Sequence, residues 1–61
     1  MKIMDLVGTF DSDIEILLEG KNHSTWIGEI HEIPEEFYKY LLYRVYITDN
    51  SLVAECNGEV W

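Results

Sequence analysis

The chain has 61 residues, 48% of them hydrophobic, and sets twelve acidic against four basic side chains for a formal net charge of −8. That length excludes a second domain and lies near the lower size at which buried apolar surface offsets the entropy of ordering a chain, while the hydrophobic content excludes a disordered acidic tail. The single cysteine, Cys56, excludes an intrachain disulfide framework and fits a reducing compartment.

Residues 2 to 7 read as a short first strand, and Gly8 with Asp11-Ser12 supplies turn chemistry before the next. From Asp13 to Glu19 the alternation is clean. Ile14, Ile16 and Leu18 point one way and Asp13, Glu15 and Glu19 the other, with Leu17 breaking the polar set. Residues 20 to 23 form a loop, and residues 24 to 31 a further strand in which Trp26, Gly28 and Ile30 oppose Ile27, Glu29 and His31. The loop leaves the register of these two strands open; if Trp26 and Ile30 join Ile14, Ile16 and Leu18 on the buried face, the outer face carries Leu17 and Ile27 inside a rim of Asp13, Glu15, Glu19, Glu29 and His31. That is an apolar spot with acidic borders.

Pro34, followed by Glu35 and Glu36, has the chemistry of a helix start, which predicts a helix over residues 34 to 43. Its wheel puts Phe37, Tyr38, Leu41 and Leu42 on a core side, Ile33 and Tyr40 at the margin, and Glu35, Glu36, Lys39 and Tyr43 opposite. Residues 44 to 48 and 51 to 56 then flank Asp49-Asn50, a pair tolerant of the positive backbone angles of a two-residue hairpin turn. The register sets Ile47 opposite Leu52 and Val45 opposite Ala54 on one face, and Tyr46 opposite Val53 and Arg44 opposite Glu55 on the other. Asn57-Gly58 is a second turn signal that predicts a short final strand over residues 59 to 61, with Trp61 beside Ala54. The expected fold class is α+β: one compact domain with an antiparallel sheet of about five strands, a short sixth, and one helix across a face, in the order β-β-β-α-β-β(-β).

No constellation carries a catalytic or cofactor signature. Asp11-Ser12-Asp13-Ile14-Glu15 begins like a calcium loop, but Ile16 stands where glycine is needed and Asn22 where a bidentate glutamate belongs. His23, His31 and Cys56 lack the spacing of a zinc site or of a nucleophile with its base. The glycines are too scattered for a phosphate loop. The expectation is therefore no cofactor, no metal and no enzyme. Asp5 interrupts any signal-peptide core, and no apolar run approaches a membrane span, so a cytoplasmic protein is expected, in the host cytoplasm if phage-encoded. Direct binding to nucleic acid or anionic lipid is disfavoured, because Lys2, Lys21, Lys39 and Arg44 are scattered and form no basic footprint.

The acidic surface is the remaining candidate. Alternate strand residues lie about 6.6 Å apart, so Asp13, Glu15 and Glu19 present a row of charge of the kind a phosphate-binding surface recognises. Glu29, Glu32, Glu35 and Glu36 extend it, with Tyr43 and Tyr46 as aromatic anchors beside the Leu17 and Ile27 spot. The expected partner is a basic surface of a larger protein, such as a nucleic-acid-binding nuclease. Small acidic nucleic-acid mimics of the anti-CRISPR or anti-restriction kind, carried by phages and mobile elements, share this size and charge. Two other readings stand beside this one: a solvated face that serves solubility, and a structural homodimer or accessory subunit that buries Leu17, Ile27, Tyr43 or Tyr46.

Overall fold

A computed structural model describes all 61 residues. The architecture is α+β, with one helix and a four-stranded mixed sheet. Helix α1 spans Ile3–Thr9, and strands β1 to β4 span Glu15–Glu19, Thr25–Glu29, Leu42–Thr48 and Ser51–Cys56. The spatial order is β2-β1-β4-β3. β1 pairs antiparallel with β2 and β3 with β4, while the central pair β1 and β4 is parallel. Each half of the chain thus contributes a local antiparallel pair, and the parallel contact joins them.

Four expectations give way here. The expected first strand is helical: Ile3, Leu6, Val7 and Phe10 stand at 3.6-residue spacing and meet the core. Its first turn is held by the Asp5 carboxylate, which accepts the Lys2 backbone N–H at 2.9 Å. The expected helix over residues 34 to 43 shrinks to a 3₁₀ turn at Glu35–Phe37. Phe37, Tyr38 and Tyr40 donate their N–H groups to carbonyls three residues back, at Pro34, Glu35 and Phe37.

Beyond that turn the backbone has better partners elsewhere. Leu41 bonds Asn57 through both its N–H and its C=O, and Leu42 donates to the Met1 carbonyl. Leu41 is consequently exposed, not in the core. The final strand is absent: Val60 is buried without strand pairing, and Trp61 is exposed and forms no ladder pair with Ala54. The sheet therefore has four strands, fewer than the five or six expected, and it is mixed, not antiparallel, because β4 pairs with β1 in the same direction.

The hairpin is as the sequence predicts. Asp49 and Asn50 have φ of 49° and 66°, and the expected pairs Arg44 with Glu55, Val45 with Ala54, Tyr46 with Val53 and Ile47 with Leu52 all form. A register shift between Leu42 and Arg44 makes Tyr43 a bulge residue.

One hydrophobic cluster lies on one side of the sheet. Ile16, Leu18, Leu52, Ala54 and Cys56 meet Ile3 and Leu6 of α1 together with Ile30, Ile33, Phe37 and Val60. Phe37 stacks on Tyr40 with ring centroids 5.8 Å apart. The C-terminal residues close this layer through Ser24, whose buried Oγ donates to the Lys21 carbonyl at 2.7 Å and accepts the Val60 N–H at 3.1 Å. Gly20 and Gly58 permit that closure, since a Cβ at Gly20 would strike the Gly58 carbonyl and one at Gly58 would strike the Tyr40 ring.

Candidate protein-binding face

The opposite side of the sheet has no covering layer. Registers fix which residues share it. Ile27 pairs with Leu17, Leu17 with Val53, and Val53 with Tyr46, so one apolar row crosses all four strands. None of these four belongs to the core cluster or packs against it. Ile27, on the outermost strand, is 67% exposed, whereas Val53 is buried because Leu17 and Tyr46 flank it.

Charge lies on both sides of this row. On one side Glu15 pairs with Glu29. Asp13 precedes them, held by His31, whose backbone N–H donates to Asp13 Oδ1 at 3.0 Å and whose Nδ1 lies 2.9 Å from the same oxygen. His31 Nε2 lies 3.0 Å from the Phe10 carbonyl, so the ring bridges residues 10 and 13. Glu29 carries the strain of this crowding: a hydrogen bond with the Asp13 carboxyl, then the Asp13 charge, with smaller contributions from desolvation, Glu32 and Glu15, raises its pKa above the ordinary carboxylate value.

On the other side Glu19 pairs with Thr25 and with Glu55, and Glu55 with Arg44. Arg44 Nη1 lies 3.7 Å from Glu55 Oε2, and its guanidinium sits 4.5 Å from the Tyr46 ring centroid. Tyr46 is the aromatic end of the apolar row. Desolvation, followed by the charges of Glu19 and Glu55, holds its hydroxyl above the ordinary phenol pKa, with Arg44 opposing.

The face therefore has three bands: Glu15 and Glu29 with Asp13, then the apolar row, then Glu19 and Glu55 with Arg44. Residues four apart on a strand are separated by about 13 Å, which sets the distance between the two acidic bands at backbone level. A shallow depression of about 260 Å³ lies on this face between Leu17, Ile27, Val53 and Thr48. An open cleft of about 660 Å³ lies at the Glu19 end, lined also by Lys21, Tyr43, Glu55 and Asn57.

Of the residues the sequence singles out, Glu15, Leu17, Glu19, Ile27, Glu29 and Tyr46 share the face, with Asp13 and Glu32 beside Glu29 at its rim. Glu35 and Glu36 stand on the turn that sends Phe37 into the core, on the other side of the sheet. Tyr43 sits on the bulge and lines the cleft. Sequence reasoning missed Val53 and Glu55 as members of the acidic face. Their hairpin parity was readable, but only the parallel pairing of β4 with β1 puts them beside Leu17 and Glu19.

No three or more His, Cys, Asp or Glu side chains are grouped to hold a metal ion. No helix is long and apolar enough to cross a membrane. No protein-family model, curated protein or solved structure matches the chain.

Proposed function

We propose that this chain is a non-enzymatic binding module whose acidic sheet face occupies a basic, nucleic-acid-binding surface of a larger protein and competes with the nucleic acid for it. The observation that carries the reading is the uncovered apolar row Ile27, Leu17, Val53, Tyr46 set between two acidic bands. Solubility alone asks for dispersed charge and gives no reason to leave such a row unpartnered. Bands about 13 Å apart lie close to the width of the B-DNA major groove, about 12 Å, so cationic side chains spaced to grip phosphates meet carboxylates at a similar separation. Between the bands the apolar row and Tyr46 supply desolvated contact, which charge alone does not.

The role in view is an inhibitor of the anti-CRISPR or anti-restriction type, acting in the cytoplasm of a host cell. Like charges disfavour self-association through this face, because a second copy would set the same carboxylates against each other. Capture from lysate of the native host on immobilised protein, with elution in salt steps, tests the proposal. The expected result is a nucleic-acid-binding protein that leaves the column at moderate salt and is also displaced by added duplex DNA or RNA. A partner indifferent to both salt and nucleic acid contradicts it.

A further inference from the structure

The two edges of the sheet differ in chemistry. β2 ends in Glu29 within the acidic band, so an approaching strand meets negative charge. β3 is different: from Phe37 to Thr48 the chain has no acidic residue and carries Lys39 and Arg44. In a molecule of net charge −8 this is the stretch that a second copy approaches with least repulsion.

The edge is also open and apolar. Thr48 and Ser51 close a two-residue turn and so form a hydrogen-bonded pair, as do Tyr46 with Val53 and, beyond them, Arg44 with Glu55. Ile47 and Val45 alternate with these and turn their N–H and C=O groups away from β4. Their side chains are 75% and 42% exposed, and Tyr43, on the bulge, is 71% exposed. Met1 occupies the outer side at Leu42, which leaves the edge free from Tyr43 onward. The free part of β3 has no proline or lysine, and its one bulge lies at its start.

We infer that β3 pairs antiparallel with β3 of a second copy about a two-fold axis at Val45, the midpoint of the strand. This register sets Val45 against Val45 of the second copy and Arg44 against Tyr46, extending the cation–π contact each copy already makes, with the bulge at Tyr43 ending the paired stretch. The main-chain hydrogen bonds form from the N–H and C=O groups of Val45 and Ile47, which otherwise face water. An axis at Arg44 would oppose two guanidinium groups, and an axis nearer Thr48 would shorten the overlap.

The two-fold stands perpendicular to the sheet, so the uncovered faces of both copies lie on the same side. Eight strands at about 4.8 Å spacing give an acidic surface roughly 34 Å wide. The pairing rests on the β3 edge alone and stands whether or not that surface takes a basic partner. The strip is narrow, and the dimer is accordingly of the reversible class, with a dissociation constant on the order of micromolar.

Sedimentation velocity tests this across about 1 to 500 µM. The expected mass rises from the 7.2 kDa of one chain toward twice that value. Val45→Lys, which sets two ammonium groups face to face at the axis, is expected to remain monomeric throughout with an unchanged circular dichroism spectrum. Independently, Val45→Cys is expected to oxidise to a covalent dimer at least about tenfold faster than Asp11→Cys, because a hydrogen-bonded antiparallel pair brings Cα atoms to about 5.5 Å, within disulfide reach. A monomer at 500 µM, a dimer that survives Val45→Lys, or equal oxidation of the two cysteine variants overturns the inference.

Discussion

Leu17 and Val53 face each other across the parallel pair β1 and β4, and this contact makes a single surface of two hairpins. On the β1 side it adjoins Ile27; on the β4 side it adjoins Tyr46. Without it the acidic band and the tyrosine belong to separate faces.

Binding and stability should separate on the two sides of the sheet. Ile27→Ala, at an exposed position, is expected to change stability by no more than about 0.5 kcal/mol while weakening partner binding measurably. Leu18→Ala, on the buried side, is expected to cost about 2–5 kcal/mol. Urea unfolding of both variants, beside a binding titration, checks the contrast.

Ser24 ties the C-terminal residues to the loop after β1. Ser24→Ala removes the acceptor of the Val60 N–H and leaves that group buried without a partner, a loss of about 1–3 kcal/mol by denaturant unfolding. Ser24→Thr, which keeps the hydroxyl, is expected to retain part of that stability.

Gly8 distinguishes a helix from a strand at the N-terminus. It lies inside α1 with negative φ, and a methyl group there meets no atom within 4 Å. Gly8→Ala is therefore expected to stabilise the protein by about 0.5–1 kcal/mol, read as a higher denaturant midpoint at constant slope. A destabilised variant would contradict the helix.

Crowding at Glu29 gives stability a definite pH dependence. Its pKa in the folded protein is raised by Asp13 above its value in the unfolded chain, so over the pH window between the two values the folded state binds more protons. The contribution of this group to stability is fully present below the unfolded value and is lost as pH rises through the folded one. Mild acidification from pH 7 is thus expected to raise the thermal midpoint at low salt, and Glu29→Gln to raise it at pH 7 and flatten the response. Calorimetry at pH 7 and pH 5 measures both.

Local signals were legible in the sequence and long-range ones were not. The hairpin register follows from Asp49-Asn50, because a two-residue turn fixes the pairing of its own flanks. The alternation of Ile16, Leu17 and Leu18 places each on its correct face, and Leu17 and Ile27 prove to be direct partners. At the N-terminus the helical spacing of Ile3, Leu6 and Val7 is present, but over seven residues it competes with a strand reading of the same apolar run. At residues 34 to 43 the helix-start chemistry is real and yields one turn. Its continuation loses to pairing with Met1, Lys2 and Asn57, which are distant in sequence. The parallel neighbourhood of β1 and β4 has no local signature at all, and Val53 and Glu55 joined the candidate face only through it.

The most direct test is the salt dependence of binding to the captured nucleic-acid-binding partner, measured by titration between about 50 and 200 mM salt for the unaltered protein and for Glu15→Lys combined with Glu19→Lys. Opposed charge bands predict an affinity that falls steeply as salt rises, and at the lowest salt a loss of about tenfold or more in the double variant, most of it in the association rate. Binding that is indifferent to salt and survives both substitutions would contradict the assignment of the acidic face.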